Sequence, residues 1–438
     1  MLKKQKNSLT KFSVPGYVHV RTVHDISEYK LKSNDLSVLY KYIPDTGVIT
    51  TNITYQVGAK DEIAGETGLA HMLEHMLFKP TKPDLIKKID SSAMQFERET
   101  GCTLNANTWQ DRTTYFFSYP KEHFARALTI EAERMVEVVL TDKEFLPERN
   151  NVLSEHDMYF GDPQFALNQA MMATAFHSHP YGHETIGFRH DIETYTPAKL
   201  ERFYRNFYRP DNATIMVIGD IDKKTALTEI KRIFGHLENP TTSVPRITAV
   251  EPKQEGVRRV SIVRPSSINL LSFGIKHEGM PSKEWFLLST LLAILTYGPE
   301  SVLNRALVDT GLVTSVEGSL NPGADMNMAT LTITLAPGTK HEVIENKVTT
   351  LIAGLTANVI TPFLKKVIAH TLTDEYVNRT SSLYIAMELT EYTATGDWSV
   401  YFDTEKILQA ITAKDLLALV KKNFDQSQLT IGYFIGTK

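Results

Sequence analysis

The chain has 438 residues, 42% of them hydrophobic and 22% charged, a globular composition with apolar mass for more than one core. A formal net charge of −4, with no lysine-arginine stripe interleaved with aromatics, argues against a nucleic-acid surface. Cys102 is the only cysteine, so no internal disulfide can form, and a reducing compartment suits the chain.

The first residues, Met1-Leu-Lys-Lys-Gln-Lys-Asn-Ser8, are basic but run into Lys11-Phe-Ser-Val-Pro15 without an apolar segment, which is not a secretory signal. No stretch reads as a membrane span, so the expectation is a cytoplasmic protein without a membrane partner, an organellar presequence being the alternative. Apolar runs at 36–42 and 48–57 predict strands. Then comes His71-Met-Leu-Glu-His75. On a helix, His71 and His75 project from one face and can take two corners of a tetrahedral Zn²⁺ site. Glu74, within the same turn, stands where a base would take a proton from water activated by the metal. The apolar Leu69, Met72, Leu73, Met76 and Leu77 give the segment helical periodicity. The same string also suits a core helix whose histidines are merely hydrogen-bonded.

Two histidines do not complete a catalytic zinc site, so a third ligand must come from elsewhere. The periodic stretch at 122–140 reads as a helix. Beyond Pro147, read as a break, a second helix aligns Glu148 and Glu155, seven residues apart, on one face. Val152 and Met158 flank that face, so the acids would be poorly solvated unless a cation or donor meets them. A solvated acidic edge is the alternative.

The amphipathic stretch 195–207 enters an apolar strand at 213–219, and 411–424 followed by 429–436 repeats that plan. Between them Glu238-Asn-Pro-Thr-Thr-Ser-Val-Pro245 has the composition of a linker. The division expected is therefore 1–237, a linker at 238–250, and a similar second domain at 251–438. Strands grouped before helices, such as that predicted at 284–294, imply α+β domains.

On these residues the chain resembles the inverzincin metallopeptidases related to pitrilysin, insulin-degrading enzyme and the mitochondrial processing peptidase, and among them the half-size members. The resemblance rests on Gly68-Leu-Ala-His-Met-Leu-Glu-His75 and on the distal Glu of Glu148-Arg-Asn-Asn-Val-Leu-Ser-Glu155. Leu104-Asn-Ala-Asn-Thr108, Thr113-Thr-Tyr-Phe116, His179-Pro-Tyr-Gly182 and Tyr208-Arg-Pro-Asp-Asn212 add to it. It implies two similar α+β domains, each an antiparallel sheet covered by helices, facing one another as a clamshell. It implies His71, His75 and Glu155 as zinc ligands, Glu74 as general base, and Glu148 as a supporting acid orienting a ligand histidine. Leu104, Asn105, Ala106 and Asn107 match the family's edge strand, to which an extended peptide substrate adds. The implied activity is hydrolysis of unfolded peptides or short polypeptides, with a non-catalytic structural or binding subunit as the alternative. His177, His179, His183 and His190 read as hydrogen-bonding or surface residues.

One departure stands out. Active relatives carry an Arg and, seven positions on, a Tyr in the second kind of domain. Aligning Gly311-Leu312 with the family's Gly-Leu puts Leu307 and Thr314 in those places, and Arg305 lies two positions off. The resemblance therefore implies a heterodimer whose partner supplies the Arg and Tyr, a homodimer being second choice.

Overall fold

A computed structural model describes residues 14–89 and 91–437; the expectation for the first thirteen residues lies outside the described residues. Seven strands, β1 (Tyr17–Val23), β2 (Ile26–Leu31), β3 (Ser37–Tyr42), β4 (Val48–Tyr55), β5 (Thr103–Thr108), β6 (Thr113–Pro120) and β7 (Ala213–Gly219), form the first sheet in the order β1-β2-β3-β7-β4-β6-β5. Five more, β8 (Arg258–Pro265), β9 (Leu270–His277), β10 (Val313–Ser319), β11 (Asn327–Leu335) and β12 (Leu429–Thr437), form a second in the order β10-β11-β9-β12-β8. Reversed, this order superimposes on β3-β7-β4-β6-β5, so the repeat expected from the helix-strand pairs extends through the whole sheet. Each sheet is antiparallel except for one parallel pair, β3 with β7 and β8 with β12.

The helices that position the site and join the halves are α1 (Leu69–Met76), α2 (Phe124–Val136), α3 (Asp142–Gly161), α4 (Pro163–Ala175), α5 (Pro197–Phe207), α6 (Lys283–Thr296), α7 (Ala357–Asn378), α8 (Ser382–Thr395) and α9 (Ala413–Asn423). Two sequence expectations need correction. The helix predicted at 122–140 is a 3₁₀ turn followed by α2, which stops at Val136. Pro147 does not break the chain but lies inside α3. Its missing N–H costs one bond early in a twenty-residue helix that already began at Asp142 with acidic residues in its first turn. Pro362 sits at the corresponding sixth position of α7, another mark of the repeat.

The central strands β4 and β7 are buried on both faces and built largely from Val, Ile, Thr, Ala and Met, the composition of strands covered twice. One cover comes from the local helices α1, α2 and α5, which close the first core. The other is exchanged. Helix α8 from the second half lies on the first sheet, where Ile385, Ala386 and Leu389 pack with Leu39, Met216 and Ile218. Reciprocally, α4 from the first half lies on the second sheet, where Leu167, Met171 and Met172 meet Leu270, Met328 and Phe434. Gly432 permits that approach, because a Cβ there would stand 2.7 Å from the Met171 side chain and 2.9 Å from that of Leu167. From 235 to 257 the chain carries no helix or strand. It is nevertheless tied down, Arg209 donating to the Thr242 and Pro240 carbonyls at 2.7 and 3.1 Å. Among the described residues no single helix is long and apolar enough to cross a membrane.

Candidate metal centre

Helix α1 starts at Gly68, whose φ of 87° is left-handed and whose Cβ, if present, would lie 2.4 Å from the Ile186 carbonyl oxygen. Its first amides are capped from outside the helix: Gly68 and Ala70 donate to the two oxygens of Glu62 at 2.6 and 2.8 Å. Glu62 is buried and also meets His183 Nε2 at 3.1 Å. Burial pushes the Glu62 carboxyl up, against the pull of His183 and the amides; His183 is raised because that carboxylate outweighs its own burial. Sequence reasoning placed His183 only as a hydrogen-bonding or surface residue and did not find Glu62, which lies 121 positions away.

The inward face of α1 buries Leu69, Ala70, Met72, Leu73 and Met76, which leaves His71, Glu74 and His75 on the other side, toward α3. His71 Nε2 and His75 Nε2 are 3.3 Å apart, and Glu155 Oε2 lies 3.5 Å from the second and 3.8 Å from the first. A tetrahedral ion with bonds of about 2.0–2.2 Å separates its ligand atoms by about 3.3–3.6 Å, so the donor set fits zinc. The tautomer also fits. His75 Nδ1 pairs with Glu148 Oε1 at 2.8 Å, which leaves the Nε2 lone pair facing the centre. Burial lowers His71 to about 4, which keeps its imidazole neutral. His75 moves the other way: burial disfavours its charge, but Glu148 and Glu155 override it and raise it to about 9. Glu155 is lowered, chiefly by its contact with His75. Two carboxylates around two imidazoles thus make a pocket that favours positive charge.

Glu148 stays outside that triangle of donors. Although burial opposes ionisation, His75 and Lys79 hold it at about 2, and Asn151 donates to its other oxygen at 3.2 Å. Val152 is buried beside it, whereas Met158, expected to flank the acids, is 64% exposed. Glu74 accepts a hydrogen bond from Thr108 Oγ1 at 2.6 Å, and burial nevertheless raises its carboxyl. Thr108 ends β5, so the edge strand runs directly past Glu74. β5 pairs only with β6, and its other edge carries no strand among the described residues. Along it Leu104 and Asn107 are half-buried, Asn105 is exposed and Ala106 is buried. Asn105 Oδ1 accepts the Ala106 amide at 2.9 Å.

Residues 37–188 match the family model described as insulinase, peptidase family M16, and residues 194–384 match the one described as the peptidase M16 inactive domain. The chain belongs to the insulinase family. This insulinase-family chain is 30% identical over 391 residues to a Helicobacter pylori protein named zinc protease PqqE, covering 88% of this chain and 87% of that one. A crystal structure described as a protease from Helicobacter pylori superimposes with a TM-score of 0.88 at 27% identity, over 94% of this chain and all of the other. A fission-yeast protein named probable mitochondrial-processing peptidase subunit beta is 28% identical over 205 residues, 47% of this chain and 44% of its own. In the second half, Leu307 is buried in the core and Thr314 is exposed on β10. Arg305 is exposed and lies 3.8 Å from Glu300.

Proposed function

We propose that this chain is a zinc-dependent metalloendopeptidase acting on unfolded peptides or short polypeptides, divided into domains at 1–237 and 251–438 by the linker at 238–250. One observation carries the reading: His71, His75 and Glu155 converge at the spacing of a single tetrahedral ion, with Glu74 beside them and a free sheet edge alongside. His71, His75 and Glu155 would hold the zinc, which when bound supplies Lewis acidity that polarises the scissile carbonyl and lowers the pKa of water toward about 7. Glu74, anchored by Thr108, takes a proton from the attacking water and passes it to the leaving amine; its raised pKa suits it to carrying that proton. Glu148 keeps the proton of His75 on Nδ1. β5 aligns the substrate as an added strand, so recognition falls mainly on backbone and tolerates many sequences.

The partner proposed is a homologous subunit that brings an Arg and a Tyr, since Leu307 and Thr314 occupy those places here. The name of the fission-yeast relative, a subunit, supports pairing. The test is zinc content by elemental analysis, with cleavage of an unstructured fluorogenic peptide by the chain alone and mixed with candidate homologous subunits. Zinc near one per chain with cleavage only in a mixture supports the whole reading. Cleavage by the lone chain overturns the partner, and absence of zinc and cleavage in every mixture leaves a structural subunit of the same fold.

A further inference from the structure

Arg112 sits in the turn between β5 and β6 with its side chain only 2% exposed. A buried guanidinium must be paired, and its carboxylate partner among the described residues comes from the other half of the molecule. Glu391 on α8, 279 positions away, accepts from Arg112 Nε at 3.1 Å and from Nη2. The remaining arm reaches the edge strand, Nη1 donating to the Asn107 carbonyl at 3.4 Å and to the Asn107 side chain. Asn107 precedes Thr108, which holds Glu74. One side chain therefore touches the helix donated by the second half and the strand proposed to receive substrate, one residue before the threonine that holds Glu74.

We propose that Arg112 and Glu391 are positioning residues: a strut through which the seating of α8 sets the end of β5 and, with it, the alignment of peptide against Glu74. This rests on the peptidase reading for its consequence but not for its existence. The rest of the α8 contact supplies a control. Thr390 meets Thr54 at 3.2 Å and Ser382 meets Thr50 at 2.8 Å, so α8 is also seated by contacts that do not involve Arg112.

The test compares Glu391→Gln, Glu391→Asp, Arg112→Gln, their double variant and Thr390→Val in the full chain. Amide exchange at 104–108 and zinc content are read on each variant, and peptide kinetics wherever the wild type cleaves. Glu391→Gln should speed exchange at 104–108 and raise KM roughly tenfold with a smaller effect on kcat, the scale of a coupled pair in one network, with zinc content unchanged. Glu391→Asp should recover part of the loss. The double variant should be no worse than Arg112→Gln alone, and Thr390→Val should leave exchange at 104–108 as it is. Unchanged exchange there in Glu391→Gln, or an equal rise in Thr390→Val, overturns the strut. A wild type that cleaves no peptide in any pairing defeats the peptidase reading instead, and the exchange data still decide the strut.

Discussion

Helices α3 and α7 occupy the same place in the two halves, each with a proline at its sixth residue, yet they carry different chemistry. One residue beyond the proline stands Glu148 in the first and Phe363 in the second; eight beyond stand Glu155 and His370. In the first half those acids meet two histidines from α1. In the second, α6 lines the neighbouring space with Ala293 and Ile294, and His370 is left with Asp374 at 2.8 Å and the Tyr297 hydroxyl at 3.3 Å. The same scaffold thus holds a tight cluster of two histidines and two acids or an ordinary surface cluster according to a few side chains, which is why sheet order alone says nothing about activity.

The sharpest way to break the contrast is Glu155→Ala, which should remove zinc and all cleavage together, checked by elemental analysis beside the peptide assay. Glu74→Gln should keep the zinc and lower kcat about 10²–10⁴-fold, the usual share of general acid–base catalysis. Glu148→Gln should weaken zinc binding about 10–100-fold in chelator competition while leaving the fold intact, since it meets His75 Nδ1 from outside the donor triangle. A smaller effect concerns what ties the halves. Glu251 accepts the amides of His177, Ser178 and His179 at 2.9, 3.0 and 3.3 Å and meets Lys276 at 2.8 Å. Although burial opposes its charge, these partners hold it at about 2, below the ordinary 4.5. A carboxylate depressed on folding contributes stability that is complete above its unfolded value and disappears as pH falls through the folded one. Thermal unfolding of Glu251→Gln should therefore start below wild type at neutral pH and converge with it between pH 4.5 and 2. Smallest of all, His370→Ala should change neither zinc content nor kcat/KM, because its partners are exposed and such pairs contribute at most about 1 kcal/mol.

What could be read in the sequence was local. Helical spacing put His71, Glu74 and His75 on one face, and a seven-residue interval aligned Glu148 with Glu155 across two turns. The repeat showed itself because α5 with β7 and α9 with β12 share one apolar pattern. Pro147 misled because the rule for a helix interior ignores how early in the helix the proline falls. The exchange of α4 and α8 was not legible, since amphipathicity marks a face for burial without naming the sheet that covers it. Glu62 with His183 and Arg112 with Glu391 were equally hidden, being single polar pairs formed across long stretches of chain with no periodic signature.

The reciprocal covering by α4 and α8 bears on how the molecule is made. When a ribosome has released the first 237 residues, β3 and β7 show bare apolar side chains, Leu39, Met216 and Ile218, where α8 will lie. At that moment α4 has no bed, its Leu167 and Met171 facing water. Neither sheet is finished until residue 395 has emerged, and the second also waits for its last strand. Synthesis therefore passes through a long interval with sticky surface uncovered, the condition in which nascent chains need chaperones.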